Sequence, residues 1–222
     1  MAQSSGLLAT PGVTDLYSTR KGPLRMSALQ LTDGSICIVS PVAGLSAGLL
    51  ENARDPTKVK FLLAPNHYHN QGLQEFSRAF PAATVCAPES ARPRLEKQTG
   101  LRIDGIAKLA GLLPAHMQLI EPPGLKTGEI WLAIKQSSTR AWFVVDAFRG
   151  PDDADDPPAQ EPALVGTFPS FGVGDAGAYT EWVLARIAAD APNLLIPCHG
   201  ALVQGESLPK KLAALVRSIA KK

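Results

Sequence analysis

Two histidines one residue apart, His67 and His69, stand in the stretch "LLAPNHYHNQGL", directly after an apolar run. Imidazoles so spaced can hold a divalent ion. With Asn66, Asn70 and Gln71 they can equally form a hydrogen-bonded turn that caps the next helix. Three further features also follow apolar runs: "PPGLKTG", Asp146 behind "WFVV", and His199 behind "NLLIPC". Loops at strand ends are where mixed α/β sheets place their binding groups. Asp146 reads as a site carboxylate or as a buried carboxylate capping a neighbouring loop, and His199 as a ligand or as a structural turn residue. His116, between Pro114-Ala115 and an apolar strand, reads as a loop histidine. Asp152, Asp153, Asp155 and Asp156 lack the glycine and closing glutamate of a calcium loop and read as a solvated acidic segment.

The elements that must carry these residues follow from apolar period and turn chemistry. Residues 1–22, rich in small and polar side chains, read as a loose lead-in. Runs at 24–31 and 36–39 joined through Asp33-Gly34 predict a β-hairpin. "LSAGLLENA" reads as a short helix, "VKFLLAP" as a buried strand, and "GLQEFSRAF" as a helix with Leu73, Phe76 and Phe80 on one face. A strand "ATVCAP", a helix "ESARPRLEKQ" and a helical piece over 104–113 come next. "MQLIEP", "EIWLAIKQ" and "RAWFVVDAF" predict a second meander, and 149–174, dense in Pro, Gly and Asp, a long covering loop. A helix around Val183 and Ile187, the strand "NLLIP" and a closing amphipathic helix through Leu208, Leu212, Val216 and Ile219 complete the chain.

The bulk properties narrow the classes. At 222 residues a single domain over 1–222 is expected. Lys plus Arg number 22 against 20 Asp plus Glu, so no basic face for nucleic acid or anionic lipid is expected and a small-molecule ligand or substrate fits better. Cys37, Cys86 and Cys198 sit in apolar runs without CxxC spacing and read as buried reduced thiols. The chain carries neither a signal-peptide pattern nor a run of about 18 apolar residues, so a cytoplasmic location without a membrane span is expected.

In order and context, "LLAPNHYHNQGLQEF", "IEPPGLKTGEIWLAI", "WFVVDAF" and "LLIPCHG" resemble the metallo-β-lactamase superfamily, whose strands run into a His-x-His-x-Asp-His motif, a Pro-Gly-His turn, an Asp and a final His. The resemblance covers about residues 23–200 and implies a four-layer αββα sandwich with two mixed sheets. Aligned on Gly72, the first motif has Pro65, His67, His69 and Asn70 in its four ligand places. Shifted, it has His67 and His69 in the leading pair, with Gln71 and Gly72 behind. Leu125 replaces the turn histidine, while Asp146 and His199 match the bridging carboxylate and the last histidine.

The implied metal set is therefore His67, His69, Asp146 and His199, enough in type for one zinc, iron or manganese ion but not for two. Asp146 could ligate or accept a proton from attacking water, which suits hydrolysis of an activated ester or thioester better than of a phosphodiester. The competing expectation is a metal-free protein that binds a small ligand on the same fold. The opening strands are candidates for pairing with a second copy as a homodimer.

Overall fold

The computed structural model describes residues 6–52 and 55–220, and the chain divides into two compact units, Met1–Ala115 and His116–Lys222. In the first unit, β1 (Leu8–Ala9), β2 (Leu16–Lys21), β3 (Leu24–Gln30), β4 (Ile36–Val39), β5 (Val59–Leu63) and β6 (Thr84–Cys86) lie side by side in chain order. The first four are antiparallel, and β4, β5 and β6 run parallel. The expected hairpin is β3–β4: the Asp33 carboxylate accepts the Ser35 N–H at 2.9 Å, and Gly34 takes φ +78°, which costs a glycine little.

Helices α1 (Ser46–Asn52), α2 (Leu73–Ala79), α3 (Arg92–Thr99) and α4 (Ala107–Ala110) belong to this unit. Leu73, Phe76 and Phe80 bury one face of the α2 region with Ile38, Leu62 and Leu95. Each such side chain contributes roughly 1.5–3 kcal/mol on burial. Where a helix was expected over 104–113, only one turn forms. Asp104 is instead drawn into a bridge with Cys86, and Gly105 and Gly111 flank the helical residues.

The loose lead-in expected over residues 1–22 is corrected: Leu8–Ala9 and Leu16–Lys21 are strands, and residues 1–5 lie outside the described residues. Lys21 pairs with Leu24, so Gly22-Pro23 form a two-residue turn with Gly22 at φ +61°. Proline's fixed φ suits its second position. A buried Ser18–Ser27 hydroxyl pair at 2.8 Å ties the two strands, an arrangement whose polarity in sequence resembles a loop.

The second unit has β7 (Met117–Ile120), β8 (Trp131–Gln136), β9 (Thr139–Val144), β10 (Phe148–Arg149), β11 (Ala163–Leu164), β12 (Leu194–Pro197) and β13 (Val203–Gln204), with α5 (Phe168–Phe171), α6 (Ala176–Asp190) and α7 (Leu208–Ile219). Its main sheet runs β13-β12-β9-β8-β7, antiparallel except for the parallel pair β12–β9. Trp131 and Trp142 are fully buried at its centre, with ring centroids 5.4 Å apart. α6 starts at Asp175, whose carboxylate accepts the Ala178 N–H at 3.0 Å. Along α7, Leu208, Leu212, Val216 and Ile219 repeat at helical period and are all buried. The segment 149–174 is not wholly irregular, since β10 pairs with β11 and α5 forms within it. Among the described residues no helix is long and apolar enough to cross a membrane, and all three cysteines are free and buried.

Candidate metal centre

In the first unit the histidine loop leaves β5, the strand held on both sides by parallel neighbours. Asn66, completely buried, folds the loop back. Its side-chain oxygen accepts the N–H groups of Tyr68 at 2.8 Å and His69 at 3.1 Å. Asn70 donates to the His67 carbonyl and to Gln98, both at 2.9 Å. Gly72 closes the loop against Pro41, whose carbonyl oxygen would lie 2.2 Å from any added Cβ, so only glycine fits there.

His67 is buried, its ring edge-on to Tyr68 at 4.4 Å. Tyr68 lies on the surface beneath the Arg94 guanidinium, 4.7 Å from the ring centre. His69 shares a hydrogen bond with Ser40, Nδ1 to Oγ at 2.7 Å. Ser40 is the residue just past β4, buried and at φ +55°. A left-handed conformation costs a side-chain-bearing residue about 1–2 kcal/mol, so the surrounding structure must hold Ser40 in it. The carbonyl of Leu63 contributes by accepting the Ser40 N–H at 2.9 Å.

In the second unit the register decides the geometry. β9 and β12 are parallel with Val144 opposite Pro197, and the ladder continues through Cys198 N–H to the Val144 carbonyl at 2.9 Å. Asp146 and His199 each follow the last paired residue by two positions, so they emerge opposite one another. Asp146 Oδ1 lies 2.8 Å from His199 Nε2, with Asp146 buried and His199 partly exposed. The turn after His199 is close-packed backbone. Gly200 at φ +82° would bring a Cβ within 2.2 Å of the Gly150 carbonyl oxygen, and a Cβ on Gly150 would meet the Ala201 oxygen at 2.0 Å.

Sequence reasoning missed Glu129. Almost completely buried, it accepts Trp131 Nε1–H at 2.5 Å and Ala147 N–H at 3.3 Å on one oxygen, and Asp146 N–H at 3.0 Å on the other. Burial and then the facing charge of Asp146 push its carboxyl from the ordinary 4.5 up to about 7, and the three N–H donors limit the rise. The same buried charge, after burial itself, helps hold the Tyr179 phenol well above its usual value. One signal in the sequence could have found Glu129: a lone carboxylate opening the apolar run Ile130–Ile134. Ser40 had no comparable signal.

Leu125 supplies no ligand atom and pairs with Val173 in an isolated bridge. The Pro-Gly turn before it survives, with Gly124 at φ +75° and no room for a side chain against the Asp175 carbonyl. His116 is a loop residue whose carbonyl accepts the Lys135 N–H.

Solved structures of a single architecture match this chain over nearly its whole length. One is the metallo-β-lactamase FIM-1 from Pseudomonas aeruginosa in its mono-zinc form (14% identity, 100% of this chain and 99% of that one, TM-score 0.64). The chain has the metallo-β-lactamase fold. A metallo-β-lactamase from Pontibacter korlensis matches similarly (12% identity, 96% and 99%, TM-score 0.62). So does the metal-soaked flavodiiron core of Flv1 from Synechocystis sp. PCC6803 (14% identity, 97% of this chain, TM-score 0.65), of which this chain spans 61%. No family model matches the sequence, and no curated protein matches it.

Proposed function

We propose that the chain is a metal-dependent hydrolase with a reduced centre, in which Asp146 and His199, with His69 as the ligand that the resemblance implies from the histidine loop, hold one zinc, iron or manganese ion and the substrate is a small activated ester or thioester. The observation that carries this reading is the Asp146–His199 pair, a carboxylate and an imidazole set 2.8 Å apart by strand register. The donor chemistry fits, since two imidazoles and a carboxylate suit a single borderline cation. When bound, the ion would supply Lewis acidity toward a carbonyl oxygen and toward water.

The chain's own residues supply the rest. Ser40 takes up Nδ1 of His69 and so assigns any ligand role of that ring to Nε2. Asp146, as a carboxylate, can accept the proton of an attacking water. Leu125 offers no donor for a second ion, so the leaving oxygen has no second clamp and the reaction is confined to substrates with good leaving groups. His67 falls to the packing of its loop in this reading, whereas the resemblance alone counts it among the ligands.

Metal content and thioester hydrolysis of the His67→Ala, His69→Ala and His199→Ala variants test the assignment. The reading expects His69→Ala and His199→Ala to lose both properties and His67→Ala to keep its metal. Loss of metal in His67→Ala alone would exchange the two histidines. Retention of metal and activity in all three would overturn the assignment of these residues, and an unaltered protein that takes up no metal would leave a metal-free ligand-binding protein.

A further inference from the structure

Outside the ligand-type residues, the second unit buries the carboxylate of Glu129 against the turn that carries Asp146. Glu129 accepts from Trp131, Asp146 and Ala147, and two of these three donors are consecutive backbone N–H groups at the turn that carries Asp146. Asp146 lies two residues beyond the end of β9, so that turn is outside the β9–β12 ladder. We propose that Glu129 is a positioning residue: its carboxylate fixes the Asp146–Ala147 backbone and so aims the Asp146 side chain at His199.

The division of labour between its two oxygens makes the proposal specific. Oε1 accepts Trp131 Nε1–H and Ala147 N–H, and Oε2 accepts Asp146 N–H alone. A glutamine that keeps its oxygen toward Trp131 turns its amide N–H groups toward the Asp146 N–H, donor against donor. Glu129→Gln therefore preserves volume and one anchor while releasing the anchor at Asp146. A buried carboxylate elsewhere in the unit provides the control. Asp190 accepts Trp142 Nε1–H at 3.0 Å and pairs with Lys135 and Arg186, and it makes none of the Glu129 contacts to the Asp146 turn. Its loss should disturb stability without re-aiming Asp146.

The inference rests on the metal-centre reading only for its consequence in binding, and the test separates the two. The first readout uses metal-free protein with ¹⁵N-labelled histidine, in which the His199 Nε2 resonance reports its hydrogen bond to Asp146. Glu129→Gln is expected to shift that resonance toward a solvent-exposed imidazole while the His116 signals stay in place, and Asp190→Asn is expected to leave it unchanged. The second readout is cobalt(II) titration, in which Glu129→Gln is expected to weaken binding about 10–100-fold and alter the visible absorption bands.

Should Glu129→Gln fail to fold, Trp131→Phe removes one of the three donors and is expected to move the His199 resonance in the same direction by less. An unchanged His199 resonance in the folded Glu129 variant, or in Trp131→Phe if that is the variant available, overturns the proposal. So does an equal shift in Asp190→Asn. If the unaltered protein takes up no cobalt, the metal-centre reading fails, while the imidazole spectrum still decides the role of Glu129.

Discussion

Ser40 bonds the His69 ring and Glu129 the Asp146 backbone, and each makes a separable prediction. Ser40 combines a left-handed backbone with the hydrogen bond to His69. Ser40→Gly should relieve about 1 kcal/mol of strain while removing the bond, so thermal stability holds or rises as metal affinity falls roughly tenfold or more. Ser40→Ala keeps the strain and should lower both. Calorimetric melting and metal titration on the two variants distinguish these outcomes.

Glu129 predicts a pH dependence of folding. Its carboxyl lies near 7 in the folded chain against the ordinary 4.5, so between those values the folded state binds a proton that the unfolded state has released. Stability contributed this way is present below the window, falls as pH rises through it and is flat above. Metal-free protein should therefore melt at a lower temperature at pH 7.5 than at pH 5, and Glu129→Gln should flatten that slope. A melting temperature that rises over the same interval would contradict the assignment.

Among the elements, the turn after β12 tolerates no added side chain at its glycines. The Gly150 and Gly200 backbones meet so closely that an alanine at either would place its Cβ 2.0–2.2 Å from a carbonyl oxygen. Either change should cost more than about 2 kcal/mol, read by denaturant unfolding, and should separate Asp146 from His199. Removing the α6 cap with Asp175→Ala should cost only about 1 kcal/mol and leave the pair intact.

Most of these elements were legible. The hairpin at Asp33-Gly34, the helix bearing Leu73 and Phe76, the Trp-rich meander and the closing helix all declare themselves by apolar period or turn chemistry. The strand pair Leu8–Ala9 and Leu16–Lys21 did not, because Ser18 and Thr19 are buried through partners on neighbouring strands that a local window cannot see. Strand β13 was also missed, since two residues paired to β12 leave no period to read.

At the scale of the whole molecule, order along the chain was the informative quantity. Four strand-end features in the right succession implied the metallo-β-lactamase fold, which the solved structures share at 12–14% identity. The pairing of Asp146 with His199 was implicit in that order, but its exactness required the parallel register of β9 and β12. Residue types could not reveal that Ser40 meets His69 or that Glu129 meets the Asp146 backbone, because both contacts join positions 17–29 residues apart with no periodic relation.

The measurement that tests the central claim most directly is the metal content of the purified, tag-free protein by inductively coupled plasma mass spectrometry after chelator-free dialysis. The account predicts about one equivalent of zinc, iron or manganese per chain, lost in His199→Ala. A content near zero after each ion has been offered at neutral pH would contradict it.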